Sequence, residues 1–307
     1  MRVPPSVDTV TVRAPAKVNL HLSVGPLRPD GFHDLTTVYQ ALGLYDEVTV
    51  TRADSLTVCV EGEGAADVPT DGTNLAARAV LALAERTGQS PDVAVQIRKA
   101  IPVAGGCAGG SADAAAALLA CDVLWGLGSS KAELSEVAAT LGSDVPFSLH
   151  GGTALGTGRG EQLTDVLGGG SYSWVLALSD GGLSTPKVYG ELDRQRERGP
   201  VALASEPSEV LSALRSGDPV LLGRALTNDL QPAAIALKPG LRRLLSAGEE
   251  LGALGGVVSG SGPTVAFLLR DSGQAHGFAA ALSGQDVCRT VRVADSPVSG
   301  ARVVRTG

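Results

Sequence analysis

The chain has 307 residues, 44% apolar and 19% charged, which supplies a hydrophobic core and excludes a disordered chain. Its net charge of −7 argues against nonspecific binding to nucleic acid or to an anionic membrane, and leaves room only for a local basic pocket. Cys59, Cys107, Cys121 and Cys288 are scattered without a Cys-x-x-Cys pair and no signal peptide precedes them, so reduced thiols in a cytoplasmic protein are expected.

Residues 9–61 read as strands. Val18, Leu20, Leu22 and Val24 alternate with Asn19, His21 and Ser23, the period of a strand. Lys17 and Asn19 therefore share one face, opposite the apolar residues. They make either a polar site or a solvated sheet face. Pro29-Asp30-Gly31 is a turn signal, and Phe32 and His33 follow it. An aromatic beside a histidine on a loop suits a planar ligand; a phenylalanine packed under a hairpin beside an exposed histidine is the plainer alternative.

Strands are expected at 47–51 and 55–60, then a loop over 62–73. Asn74 caps a helix to about Arg86 with Leu75, Ala79 and Leu83 on one stripe. Val93, Val95 and Ile97 form a strand that delivers Arg98, Lys99 and then a glycine-rich stretch from Ile101 to Ala120. Gly105, Gly106, Gly109 and Gly110 fall within six residues of that stretch, and an alanine-rich helix follows, with Ser111 in position to cap it. Free backbone N–H groups feeding a helix N-terminus form an anion site. The stretch ends without Gly-Lys-Ser/Thr, so it is not a Walker A loop, and no acidic residue completes a Rossmann pattern. Lys99 stands close enough upstream to reach a phosphate.

Ser130 and Glu133 form a capping box for a helix ending near Leu141. Asp144 then sits between a small-residue turn and Val145-Pro146-Phe147, a placement for a carboxylate in a partly dry pocket or for one that organises its own turn. After a strand at 153–157, the glycines around 158–170 mark a domain boundary, giving domains over 1–160 and 161–307. The second half reads as a strand at 174–178, a turn over 184–189, helices near 206–216, 218–226 and 239–251, strands at 254–259 and 263–270, a helix at 273–283 and a strand at 288–293. This is an antiparallel sheet with helices on one side, an α+β layer. Between its two late strands lies a second glycine turn, Ser259-Gly260-Ser261-Gly262.

Three stretches, Pro15–Leu20, Pro102–Ala115 and Ser259–Thr264, together and in this order resemble the motifs of the GHMP kinase superfamily. Ala14-Pro-Ala-Lys-Val-Asn-Leu20, Arg28-Pro-Asp-Gly-Phe-His33 and Leu141-Gly-Ser-Asp-Val-Pro-Phe147 are similar to the branch that phosphorylates an alcohol carried on cytidine diphosphate. The resemblance implies an α+β, two-domain fold: an N-terminal domain like that of ribosomal protein S5 and a C-terminal ferredoxin-like antiparallel sheet with helices. It implies ATP and Mg²⁺, a small-molecule cytidine-diphosphate substrate, no nucleic-acid or membrane partner, and a monomer or homodimer. Asp144 matches the catalytic base and Lys17 the lysine beside it. Asn19 and Thr185 match substrate-positioning residues, Phe32 and Tyr189 the rings that sandwich cytosine, and His33 its hydrogen-bonding partner. Lys99, Pro102 and the loop of Ala104, Gly105, Gly106, Cys107, Ala108, Gly109, Gly110 and Ser111 match the ATP side, with Ser111 the one candidate metal contact. The loop departs from the pattern at Cys107, Ala108, Ala112 and Asp113, where an apolar residue, glycine, serine and asparagine are more usual. Two other readings stand beside this one: a mevalonate- or homoserine-type kinase of the same superfamily, and a non-catalytic nucleotide sensor.

Overall fold

The computed structural model describes residues 7–199 and 206–307. The chain runs through β1 (Thr9–Leu27), β2 (His33–Arg52), β3 (Thr57–Gly62), α1 (Leu75–Thr87), β4 (Val93–Lys99), α2 (Gly109–Trp125), α3 (Lys131–Leu141), α4 (Val145–His150), β5 (Thr153–Thr157) and β6 (Gln162–Asp165). It continues through β7 (Tyr172–Leu178), α5 (Thr185–Arg198), α6 (Ser208–Ser216), α7 (Pro219–Ala225), β8 (Thr227–Asn228), α8 (Gln231–Leu237) and α9 (Gly240–Glu250). The last elements are β9 (Gly255–Val258), β10 (Val265–Leu269), α10 (Ser272–Ser283), β11 (Thr290–Ser296) and β12 (Arg302–Thr306).

The first sheet is built on the long β1–β2 hairpin, whose turn is closed by Asp30 accepting from the Phe32 N–H at 3.1 Å. Strand order is β12-β1-β2-β4-β3, with the β5–β6 hairpin on β2 and β8 beside β1. Helix α2 lies against α1, β1 and β2. Its Ala114–Leu118 run, Ala120 and Cys121 are buried on every side, which suits a helix of small apolar residues held at the centre of a core. Asn74 caps α1 through the Ala76 N–H, and the Ser130–Glu133 box caps α3.

The second sheet is antiparallel, in the order β11-β7-β10-β9. Alternation along β7 divides two cores: Trp174, Leu176 and Leu178 join the core of the first sheet, while Val175 and Ala177 face α5, α8, α9 and α10. Among the described residues no helix is long and apolar enough to cross a membrane.

Three features differ from the sequence expectations. The division at 160/161 passes through the β5–β6 hairpin, and the chain returns to the first sheet through β8 and β12. Pairing between segments so far apart leaves no local trace. Residues 184–189 are not a turn but the start of α5, with Ser184 at the N-cap and a proline in the first turn. Helices α4 and α8, six and seven residues long, are too short for a readable period; each carries a proline as its second residue.

Candidate active site

Lys17 and Asn19 do share a face of β1, and that face is not solvated: they are 4% and 2% exposed. Lys17 Nζ donates to Asn19 Oδ1 at 2.6 Å, Asn19 Nδ2 donates to Thr37 Oγ1 at 2.8 Å, and Thr37 Oγ1 donates to the His21 carbonyl at 2.8 Å. This relay fixes both the asparagine amide and the ammonium. Asp144 occupies the N-cap of α4, yet its side chain makes no capping bond there. Instead Oδ1 accepts from the Tyr39 hydroxyl at 3.0 Å and Oδ2 lies 3.6 Å from Lys17 Nζ. Burial, reinforced by the Asp144 charge, holds the Tyr39 phenol well above its ordinary range, so it stays a donor. The Asp144 carboxylate keeps 29% of its surface open to the adjoining cavity. A carboxylate so placed can take a proton from a ligand while the ammonium beside it neutralises developing negative charge.

That cavity, of about 740 Å³, is also lined by the glycine loop. Helix α2 begins at Gly109 behind Ala108, which stands at φ 61° in the left-handed region and provides no side-chain cap. Ser111 is therefore the third residue of the helix and not its cap; its hydroxyl is left for the cavity it lines. The N–H groups of Gly109, Gly110 and Ser111 have no acceptor within the helix and stand at its positive end, a site for phosphate oxygens. The second glycine turn pins this loop. Ser259 Oγ donates to the Gly106 carbonyl at 3.1 Å, the Thr264 N–H donates to the Gly105 carbonyl at 3.2 Å, and the Lys17 N–H donates to the Cys107 carbonyl at 3.2 Å. A Cβ on Gly106 would lie 2.0 Å from the Ser259 oxygen, and one on Gly260 3.1 Å from Lys17 Nζ. Asn228 holds the turn from behind, donating to the Val258 and Gly260 carbonyls at 2.7 Å each.

At the other end of the cavity stand Phe32, His33 and Tyr189. Phe32 is 50% exposed, which leaves a ring face for a ligand. The His33 ring lies 5.2 Å from that of Tyr189; its Nδ1 is 3.0 Å from the Gly25 carbonyl and its Nε2 faces the Asp193 carboxylate at 3.4 Å. Tyr189 follows Thr185 by one turn of α5, so both present to the same side, and Thr185 Oγ1 meets Ser261 Oγ at 2.8 Å. Burial and the Asp144 charge raise the Tyr189 phenol above its ordinary range.

Residues 74–152 match the model of the GHMP kinases N terminal domain, and residues 210–286 that of the GHMP kinases C terminal domain. The chain belongs to the GHMP kinase family. Among its relatives, a 4-diphosphocytidyl-2-C-methyl-D-erythritol kinase of Streptomyces avermitilis is 60% identical over 298 residues, covering 96% of this chain and 100% of that protein. The kinase of the same name from Nocardia farcinica is 59% identical, covering 96% of each. A crystal structure of 4-(cytidine 5'-diphospho)-2C-methyl-D-erythritol kinase superposes with a TM-score of 0.73 at 32% identity, covering 93% of this chain and 98% of that one. Mevalonate kinase of L. major superposes at 0.78 with 16% identity, covering 98% and 100%, which shows the shared fold.

Most of the residues expected at the site of this GHMP kinase line one cavity: Lys17, Asn19, Phe32, His33, Asp144, Thr185 and Tyr189, with Pro102, Ala104–Gly106, Ala108–Ser111 and Gly260–Gly262. Cys107 and Ser259 are fully buried and act through their main chain or as braces. Lys99 is the clear exception. Its ammonium is buried behind the loop, donating to Asp113 Oδ2 at 2.7 Å and to the Asp46 carboxylate, and it does not line the cavity. Asp46 Oδ1 also accepts from the Ala100 and Ile101 N–H groups at 2.6 and 2.8 Å. Burial works against the Lys99 charge, but Asp113 and Asp46 together outweigh it and raise the ammonium above its ordinary range. Burial pushes Asp113 up to about 8. Lys99 thus braces the approach to the loop instead of touching phosphate. Sequence reasoning missed Tyr39 and Thr37, whose pairing opposite Asn19 and Leu22 is a matter of cross-strand register. It also missed Arg159, at the tip of the β5–β6 hairpin.

Proposed function

We propose that this chain transfers the γ-phosphoryl group of ATP to the 2-hydroxyl of 4-diphosphocytidyl-2-C-methyl-D-erythritol, in the making of isoprenoid precursors. The observation that carries the reading is the Lys17–Asp144 pair, 3.6 Å apart, between a main-chain anion cradle and an aromatic slot in one cavity. Relatives at 59–60% identity that bear the name of this activity support the choice of alcohol.

In this reading Phe32 and Tyr189 stack the cytosine and His33 hydrogen-bonds it. Asn19 and Thr185 orient the polyol. The N–H groups of Gly109, Gly110 and Ser111 hold the triphosphate. Asp144 accepts the hydroxyl proton as the oxygen attacks the γ-phosphorus, the bond to the β–γ bridging oxygen breaks, and ADP leaves. Lys17 offsets the charge that grows on the transferring group, and Tyr39 and Lys17 together fix the Asp144 carboxylate for its role. The oxygens at hand, the Ser111 hydroxyl and the Asp144 carboxylate, are hard donors that suit Mg²⁺ carried on the triphosphate; such an ion would spread its negative charge.

The test is ADP release measured across a panel of alcohols. Turnover is expected with the cytidine-linked polyol; turnover of mevalonate or homoserine without it overturns the reading, and release with none of them supports a nucleotide sensor.

A further inference from the structure

Arg159 stands at the tip of the hairpin between β5 and β6, flanked by Gly158 and Gly160 at φ +70° and +105°. The tip is tied into the site. The Leu35 N–H donates to the Gly158 carbonyl at 2.7 Å, and the Arg159 N–H donates to Glu161 Oε2 at 2.7 Å. A Cβ on Gly160 would fall 2.4 Å from the Tyr39 hydroxyl, so this backbone packs directly on the residue that bonds Asp144. On the other side the Arg159 guanidinium lies 4.8 Å from the centroid of the Phe32 ring. The residue therefore bridges the two ends of the cavity that it lines.

Its charge is uncommitted. Lys17 is held by Asn19 and faces Asp144, and His33 spans the Gly25 carbonyl and Asp193. No carboxylate among the described residues lies within ion-pair distance of the Arg159 guanidinium, and Lys99 is sealed behind the loop. A ligand with its base at Phe32 and its reacting hydroxyl at Asp144 must pass two anionic phosphates between them. Leaving those phosphates in a cavity without a cation would cost affinity.

We propose that the Arg159 guanidinium binds the diphosphate of the phosphoryl acceptor, forked across its oxygens while stacked on Phe32. Arginine suits both contacts, because its planar fork matches phosphate geometry and its face lies flat on an aromatic ring. The assignment deepens the cytidine-diphosphate reading and rests on it. It makes Arg159 a residue that selects nucleoside diphosphate esters over bare nucleosides.

Binding of cytidine and of cytidine 5'-diphosphate is measured by titration calorimetry, with ADP in excess to fill the ATP side, on wild-type protein, Arg159→Ala and Arg159→Lys. Wild type is expected to prefer the diphosphate. Arg159→Ala is expected to weaken diphosphate binding about 10- to 100-fold with cytidine binding nearly unchanged, and Arg159→Lys to recover part of it. The side chain is partly exposed, so all three proteins should melt alike. Equal weakening of both ligands would reduce Arg159 to a cover on Phe32 and overturn the assignment, as would no change in either. Wild-type protein that binds no cytidine nucleotide overturns the cytidine reading and this assignment with it.

Discussion

Two glycine-to-alanine changes separate the strain of a left-handed backbone from the contact that joins loop to turn. Gly106 has φ +81° and Gly126, at the C-cap of α2, has φ +67°. Alanine at either costs about 1–2 kcal/mol for the left-handed conformation. At Gly126 nothing lies within 4 Å of the new methyl group. At Gly106 it would lie 2.0 Å from the Ser259 oxygen and 3.0 Å from the Gly262 nitrogen, where ordinary contact starts at 3.4 Å. Both neighbours are backbone, so no side-chain rotation relieves the clash, and loop and turn must part by more than an ångström. Overpacking of this kind adds about 1–3 kcal/mol. A displacement of that size at a reacting centre costs about 10²-fold in rate. Gly106→Ala should therefore lower Tm about 1.5- to 4-fold more than Gly126→Ala does, and lose about 10²-fold in kcat/KM for ATP, while Gly126→Ala keeps wild-type kinetics. Thermal melts and an ATP titration of ADP release measure both. Equal Tm losses with wild-type kinetics in Gly106→Ala would refute the claim that this contact sets the phosphate site.

Asp144→Asn should lower kcat by about 10²- to 10⁴-fold with ATP binding nearly intact, read by stopped-time ADP release and calorimetry; an active variant would remove Asp144 from the role of base. Ala108→Gly should raise Tm, because the about 1–2 kcal/mol of left-handed strain it releases exceeds the about 0.4–1 kcal/mol that glycine's extra freedom costs in the unfolded chain; a Tm at or below wild type would refute this. Asp113→Asn tests the buried triad. Folding raises the Asp113 pKa from 3.8 to about 8, so over that window the folded protein binds the extra proton and its stability falls as pH rises. Asparagine has no such proton to lose. The Tm advantage of Asp113→Asn should grow from about pH 5 to about pH 8; parallel curves would show that Asp113 keeps its ordinary acidity.

Much of the site was legible where a short-range rule applies. The period of β1 placed Lys17 beside Asn19, and the break between α3 and α4 exposed Asp144. The same rule, carried one strand further, would have corrected Lys99: in β4 it falls on the inward row of Val93, Val95 and Ile97. Its proximity to the loop in sequence obscured that its side chain points into the core. Ser111 looked like a cap because a serine before an alanine run usually is one; the helix starts earlier because Ala108 accepts a left-handed φ that sequence does not advertise. Thr185 and Tyr189 line the cavity from the first turns of α5, on a stretch that reads as a turn in sequence although Ser184 and Pro186 carry a helix-start signal. Tyr39 and Arg159 were out of reach, since each matters through a partner more than a hundred residues away, and Asn228 matters through carbonyls of a turn 30 and 32 residues further on, which no local pattern marks.

The two ends of the cavity are written in different materials. The end proposed for phosphate is main chain, with the N–H groups of Gly109, Gly110 and Ser111 at the start of α2, while the other end is side chains: Phe32, His33, Arg159 and Tyr189. An inhibitor anchored to the loop amides meets a surface that point mutation can alter only by deforming the backbone, as at Gly106. One anchored to the rings and the guanidinium meets groups that a single codon change removes. Escape from the first kind of compound would carry a fitness penalty in the enzyme's own nucleotide binding, and its selectivity over other kinases built on the same loop would have to come from reaching across toward the second end.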